Sequence, residues 1–254
     1  MIRYYYSIIR NAFTILNEVE AMNKMNKDLE NNPHEYTDEY IYKYVKDNIL
    51  AVMHRTGRIE TVVYGEENLP KEGGYMMYPN HQGKYDVYGI VSVHEKPCTF
   101  VMDIEKSYRL GVNQLVKLMR AKRLNKKDNR QAMKVINAVA EEVKGGRKYV
   151  LFPEGAYEGK KPNDLLGFKP GCFKICLKSG VPIVPVVLVN SHIPYNSWSL
   201  RKVTTEVHYL EPIYYDEYKE MNTQQIAEMV KTKIANKIAE IQECKKKNKK
   251  KKKK

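Results

Sequence analysis

The chain has 254 residues, of which 43% are hydrophobic and 29% charged, and this composition excludes a disordered polypeptide. Its net charge is +14, but nine of these charges are lysines that follow Cys244, leaving +5 for the rest. The four cysteines show no paired framework, which indicates a reducing cytoplasm. No apolar run reaches the roughly 18 residues that a membrane span needs, and we find no signal-peptide pattern. We therefore expect no transmembrane span.

The N-terminal segment has helical periodicity. Apolar and aromatic residues recur at helical spacing over residues 2–19, with basic residues between them. This pattern suits a helix lying in a membrane interface, and packing on the chain's own domain is an equal alternative. After a break at Asn31, Thr37 resembles an N-cap, and a second amphipathic helix is expected to end at Gly57. We predict an N-terminal helical hairpin over residues 1–57.

From Arg58 onward, strand-like segments alternate with helical ones. This order predicts an α/β domain over residues 58–243, with a mixed central sheet flanked by helices. The prolines in the apolar run 181–189 suggest an edge strand or a bulge. Residues 244–254 are predicted to form a disordered poly-Lys tail. Strands are predicted at 59–64, 75–78, 99–102, 149–152, 181–189 and 203–210, and helices at 86–94, 108–119, 130–143, 171–179 and 222–243.

The most informative stretch runs from Pro79 to Asp86, directly after the second predicted strand. An imidazole such as that of His81 is the side chain best suited to take a proton near neutral pH. A carboxylate one turn further on, at Asp86, can hold one ring nitrogen and leave the other free. From the spacing alone, a helix cap beside a solvated histidine remains an alternative.

Two other loops carry unusual residues. The segment 152–159 places Glu154 in a rigid Pro/Gly turn after a predicted strand, and the segment 122–128 is strongly basic. In α/β sheets, functional groups gather on loops just beyond the strand ends. A base, a turn that carries a carboxylate, and fixed cations suit proton removal from a hydroxyl group on an anionic substrate.

These segments resemble the motifs of the glycerolipid acyltransferases. NHQGKYD is similar to their NHxxxxD signature, and FPEGAYEG to their FPEGTRS motif. VYGEENLP at 63–70, FKPGCFKICLKSG at 168–180 and VPIVPV at 181–186 extend the resemblance, in the family's order, over roughly residues 59–212. The sequence most closely resembles the 1-acylglycerol-3-phosphate (lysophosphatidic acid) acyltransferases.

The resemblance implies the glycerolipid acyltransferase fold and a specific reaction. A fatty acyl group would pass from acyl-CoA or acyl carrier protein to the free hydroxyl of 1-acylglycerol-3-phosphate, without cofactor or metal. His81 would be the general base and Asp86 its orienting carboxylate, while Arg123, Glu154 and Gly155 would bind the acceptor. The protein would lie peripherally on the anionic, cytoplasmic face of a membrane.

One departure concerns the acceptor phosphate. The family's Thr-Arg after Glu-Gly is replaced by Ala156-Tyr157, so one expected arginine is missing. Lys160, Lys161 or Lys169 is expected to supply the charge, and Lys106 falls where the family's second block begins. A lysine acts as a point charge and lacks the bidentate fork of arginine.

Two alternatives remain open from the sequence. The acceptor could be glycerol-3-phosphate or another lysolipid. The lysine tail could instead belong to a non-enzymatic protein that binds polyanions, although a like-charge block binds without specificity and we expect no specific nucleic acid. Four other histidines are interpreted as surface or packing residues: His54, His94, His192 and His208.

Overall fold

The computed structural model describes residues 2–157 and 164–251, with side chains over 5–157 and 164–248. Within these ranges, a single seven-stranded sheet forms the centre of the fold. Its order is β1-β7-β6-β2-β5-β3-β4, and every neighbouring pair is parallel except β6 and β7. This confirms the predicted mixed α/β sheet. The strands are β1 (Ile59–Tyr64), β2 (Tyr75–Pro79), β3 (Thr99–Asp103), β4 (Lys122–Leu124), β5 (Lys148–Val150), β6 (Ile183–Val189) and β7 (Val203–Tyr209).

Helices cover both faces of this sheet. Each face has its own apolar core, and alternate residues of β2 supply the two cores: Tyr75 and Met77 on one side, Met76 and Tyr78 on the other. Such burial on both faces is typical of parallel strands. The helices are α1 (Ile2–Arg10), α2 (Ala12–Asn31), α3 (Asp38–Tyr44), α4 (Ala51–Gly57), α5 (Asp86–Val93), α6 (Val112–Leu118), α7 (Asn129–Lys144), α8 (Lys174–Ser179), α9 (Ile193–Asn196), α10 (Tyr215–Tyr218) and α11 (Thr223–Lys251).

The N-terminal segment is helical on both sides of the break near Asn31, as predicted, with α1 and α2 before the break and α3 and α4 after it. Thr37 caps α3, its hydroxyl accepting from the amide of Tyr40 at 3.1 Å. A π-helical turn over Val45–Leu50 joins α3 to α4. From Val19 onward α2 packs on the domain, through Val19, Met22 and Met25, whereas the segment before Val19 leaves its largest apolar side chains exposed. No helix within the described ranges is long and apolar enough to cross a bilayer.

Of the two predicted settings for the proline-containing strand, an edge or a bulge, the edge is wrong. β6 is the third strand of the sheet and is buried throughout. Pro185 lies between the last β6–β7 pair, Val186 with Tyr209, and an isolated bridge from Ile183 to Ile213. The missing N–H therefore falls at an interruption of the pairing, while the Pro185 carbonyl still accepts from Leu210 at 3.0 Å.

Two elements differ from the predicted limits. α11 continues through Lys251, where a disordered tail was predicted from Cys244. Its buried residues, from Ile226 to Ile238, hold the helix on the domain, and lysine is a good helix former that lets it propagate. The three-residue strand β4 was not predicted, because Lys122 and Arg123 carry no strand pattern. The predicted domain boundaries stay predictions.

His94 is a fully buried packing residue. Its Nδ1 donates to the carbonyl of Lys96 at 2.6 Å, so its Nε2 accepts from the Tyr75 hydroxyl at 2.7 Å. Burial lowers the pKa of His94 to about 4. The folded protein therefore holds this imidazole neutral where the unfolded chain would protonate it.

Stability is expected to fall in mild acid because of His94. Below pH 6.5 the unfolded chain binds a proton that the folded protein takes up only near pH 4, so the free energy of unfolding decreases by about 3 kcal/mol across this window. Urea unfolding at a series of pH values measures the effect. His94→Gln should flatten the dependence, whereas substitution of the exposed His34 by glutamine should not. Equal slopes in all three proteins would contradict the assignment.

Candidate active site

The candidate site lies at the carboxyl ends of three adjacent parallel strands, β5, β2 and β6. Each of the three following loops supplies one polar residue: His81 after β2, Glu154 after β5 and Ser191 after β6. Carboxyl ends of parallel strands are the usual location of functional groups in α/β sheets. The sheet order thus brings together residues that are far apart in the sequence.

Asp86 is the centre of the hydrogen-bond network. It begins α5, is only 1% exposed, and its carboxylate accepts from four donors among the described residues. Such saturation lets a buried carboxylate remain charged. The donors are Nδ1 of His81 (2.6 Å), the amides of Gln82 (2.5 Å) and Gly83 (2.9 Å), and the hydroxyl of Ser191 (2.5 Å).

The contact with Asp86 fixes the tautomer of His81. A carboxylate can only accept, so in the neutral imidazole the proton lies on Nδ1 and Nε2 carries a lone pair. Nε2 has no hydrogen-bond partner among the described residues, and the His81 side chain is 17% exposed. His81 is therefore arranged to take a proton from a bound molecule.

Two aromatic rings flank the imidazole. Phe152 stacks on it at a centroid distance of 4.2 Å, and Tyr157 meets it edge-on at 4.6 Å. The ammonium group of Lys106 lies 5.0 Å from the centroid of the Tyr157 ring. At the position of the family's arginine, this chain therefore has an aromatic side wall with a lysine above it.

Glu154 supports the backbone that carries His81. The side chain is 3% exposed; Oε1 accepts from the amide of His81 at 2.7 Å and Oε2 from the amide of Leu166 at 2.8 Å. The carboxylate thus joins the loop after β5 to the loop after β2. Direct contact with an acceptor, expected from the resemblance, stays a prediction.

Cations surround the turn at Gly155. This residue has φ +72°, a conformation that favours glycine, and a Cβ there would stand 3.1 Å from Nζ of Lys169, whose side chain would have to shift slightly. Lys126 donates to the Gly155 carbonyl at 2.6 Å and pairs with Asp103 at the same distance. Burial is the largest influence on the pKa of Asp103 and would raise it, but the hydrogen bonds from Lys126 and the Glu105 amide, together with the charges of Lys126 and Lys106, lower the pKa overall.

Arg123 is fixed by neutral groups. Its guanidinium donates to the Ser107 hydroxyl at 3.0 Å and to the Asn113 side-chain oxygen at 2.8 Å, and lies 5.0 Å from the ring centroid of Tyr108. Among the described residues it has no carboxylate partner. Its charge is therefore held in place and not neutralised, as an anion site requires. Lys160 and Lys161 lie outside the described residues.

The sequence did not identify the residues that fasten β6 to the loop after β2. The Asn80 side chain pairs with the backbone of Leu188 through bonds of 2.7 and 3.2 Å, and Gln82 accepts from the Ser191 amide at 3.1 Å. Beside them, the Nδ1 of His192 is buried without a partner among the described residues, and burial lowers its pKa. Ser191 could have been suspected because it follows the end of an apolar strand.

An apolar pocket of about 360 Å³ lies between the N-terminal helices and the domain. Tyr88 of α5 and Tyr195 of α9 contribute to its wall, so it borders the elements that follow Asp86 and Ser191. Most of the remaining wall is aliphatic, and includes Ile8, Ile15, Val52 and Leu115. No group of three or more metal-ligating side chains is found in the described part of the chain.

The sequence and the fold of this chain both have counterparts among known proteins. The sequence model of the acyltransferase family matches residues 60–189. The chain therefore belongs to the acyltransferase family.

Its relatives include three proteins named 1-acyl-sn-glycerol-3-phosphate acyltransferase. The one from Saccharomyces cerevisiae is 29% identical over 52% of this chain and 44% of its own length. The Cocos nucifera protein is 29% identical over 64% and 53%, and the Salmonella typhimurium protein 27% over 66% and 69%. The chain thus spans about half the length of the first two.

The fold has a solved counterpart. The 1-acyl-sn-glycerophosphate (LPA) acyltransferase of Thermotoga maritima superposes with a TM-score of 0.67 over 93% of this chain and 98% of that one. Since the identity is 23%, this likeness concerns the fold.

Glu154→Gln is expected to destabilise the protein by about 1–3 kcal/mol, because the amide nitrogen cannot accept from a backbone N–H and one buried donor loses its partner. Thermal unfolding measures the loss, and the His81 amide resonance in an NMR spectrum should shift. Glu95→Gln, at an exposed glutamate, is the matched control. An unchanged His81 resonance would show that Glu154 does not hold this loop.

Proposed function

We propose that the chain is an O-acyltransferase that moves a fatty acyl group from an acyl thioester to the free hydroxyl of 1-acylglycerol-3-phosphate, giving phosphatidic acid. The observation that carries the proposal is the His81–Asp86 pair. Nε2 of His81 has no hydrogen-bond partner among the described residues, and the Asp86 carboxylate orients the ring through Nδ1. The names of the relatives support the choice of acceptor. The family supports the reaction class.

The chemistry follows from the geometry of this pair. Nε2 of His81 takes the hydroxyl proton while the acceptor oxygen forms a bond to the thioester carbonyl carbon. Asp86 stabilises the imidazolium that results. The tetrahedral adduct then collapses, the carbon–sulfur bond breaks, and the leaving thiolate recovers the proton from His81. The acceptor hydroxyl is itself the nucleophile, so no acyl-enzyme is needed.

The cationic groups beside His81 suit the phosphate of the acceptor. Arg123 offers a fixed fork whose charge is not neutralised, and Lys106 and Lys169 add point charges near the Tyr157 and Gly155 positions. Their arrangement would place the phosphate on the side of the site away from β6. The apolar pocket, bordered by α5 and α9, would then take an acyl chain.

The same residues define the partners that we propose. The donor is acyl-CoA or acyl carrier protein, and the acceptor is a lysophospholipid in a membrane. The exposed apolar side chains before Val19, together with the lysines after Cys244, support peripheral binding to an anionic bilayer on its cytoplasmic face. We propose no specific nucleic-acid partner.

Replacing His81 by alanine is expected to lower acyl transfer by at least about 10²–10⁴-fold, the usual contribution of a general base, with the melting temperature nearly unchanged. A radiolabelled transfer assay with acyl-CoA and acyl carrier protein donors measures it. The exposed His34 supplies the control variant, His34→Ala. A folded His81→Ala protein with near-normal turnover would refute the proposed mechanism.

Arg123→Ala is expected to raise KM for lysophosphatidate about 10- to 100-fold, because a charge-assisted hydrogen bond to phosphate is worth roughly 1.5–3 kcal/mol. KM for a monoacylglycerol, which has no phosphate, should stay the same. Glycerol-3-phosphate and other lysolipids complete the set of acceptors. An equal rise in KM for charged and uncharged acceptors would indicate that Arg123 does not bind the phosphate.

A further inference from the structure

The Trp198 loop, residues 197–202 between α9 and β7, exposes a large apolar surface that the proposed chemistry does not use. Trp198 is 72% exposed, and Leu200 beside it is also exposed. Arg201 and Lys202 follow directly, the latter paired with Glu60 at 2.9 Å. Exposed tryptophan, leucine and basic side chains in one short loop are the composition of a segment that enters a membrane interface.

The position of the loop relative to the apolar pocket strengthens this reading. α9, which leads into the loop, packs against α1, and Tyr195 of α9 lines the same pocket as Ile8 of α1. Leu110, which is 74% exposed, also contributes to the wall of that pocket. The pocket therefore has exposed apolar groups from α1 and Leu110 in its wall, and α9 connects it to the exposed apolar groups of the Trp198 loop.

The charges near this surface favour an anionic bilayer over a neutral one. Arg10 ends α1, Arg109 precedes Leu110, and Arg201 follows Leu200. Each basic group near an anionic leaflet strengthens binding to it. A tryptophan ring with its N–H at the headgroup level satisfies both its apolar and its polar parts.

We propose that the Trp198 loop inserts into the interface of an anionic lipid bilayer, as a contact separate from the N-terminal helices. Together with α1 and Leu110 it sets the plane in which the pocket faces the lipid. The loop is close in sequence to the site, since Ser191, which donates to Asp86, lies seven residues before Trp198. The inference rests on the proposed function in one respect: a lysophospholipid acceptor gives the protein a reason to bind a membrane. The test of the inference measures vesicle binding and not turnover.

Trp198 is the single tryptophan of the chain, so the unmodified protein carries its own probe. Mixed phosphatidylcholine and phosphatidylglycerol vesicles should shift its emission to shorter wavelength, and acyl-chain-brominated lipids should quench it. Pure phosphatidylcholine should produce a much smaller shift. An unshifted, unquenched emission, with or without co-sedimentation of the protein with the anionic vesicles, would overturn the proposal. So would a concentration-dependent shift without vesicles, because it would indicate association between copies of the chain.

The double variant Trp198→Ala/Leu200→Ala should bind anionic vesicles about tenfold more weakly in co-sedimentation, because it removes two apolar side chains that would be partly buried in the bilayer. Tyr214→Ala, which removes an exposed aromatic residue before α10, is the matched control and should bind normally. Ile9→Ser/Phe13→Ser should weaken binding while leaving the emission shift of the bound fraction. Unweakened binding by the Trp198/Leu200 variant overturns the inference. His81→Ala should bind anionic vesicles like the unmodified protein. The vesicle assay therefore tests the Trp198 loop independently of the catalytic proposal.

Discussion

The buried carboxylate of Asp86 is the constraint on which the site depends. An unpaired carboxylate at 1% exposure would be expensive, so its four donors stabilise the loop after β2 as well as the charge. Two of those donors are the backbone amides of Gln82 and Gly83, which fix the chain directly after the base. The other two, from His81 and Ser191, set the imidazole tautomer and join β2 to β6. A single saturated group thus determines the orientation of the base.

The sheet order explains why such a small network suffices. β2 lies between β5 and β6, so the loop that carries His81 is held from both sides. On the β5 side Glu154 bonds the His81 amide, and on the β6 side Asn80 bonds Leu188 while Ser191 bonds Asp86. Apolar cores on both faces keep these strands in register. Positive charge comes from the edge of the sheet beyond β5, where Arg123 lies in β4 and Lys126 follows it.

The contrast between local and distant contacts decides what could be predicted from the sequence. His81 and Asp86 are five residues apart, so their pairing was one of two interpretations of the spacing, and the resemblance to the acyltransferase motifs favoured it; the strands around them could be inferred from alternation. The contacts of Ser191 and Lys126 depend on which strands are neighbours, which periodicity does not specify. The sequence could not decide between an edge and a bulge at Pro185, because the interruption that accommodates the proline depends on the chain segment paired with β6. The helical lysines after Cys244 were misjudged because a charge block has no apolar pattern of its own.

The separation in sequence of these contacts also bears on how the protein assembles. Asp86 and Ser191 are 105 residues apart, and His81 and Glu154 are 73 apart, so both bonds close long loops. A nascent chain can therefore place His81 beside Asp86 early, but it cannot hold that pair in working geometry until β6 has been synthesised and has joined β2. Regain of activity during refolding would accordingly follow regain of helix content, and would serve as a clock for the final pairing of the central strands.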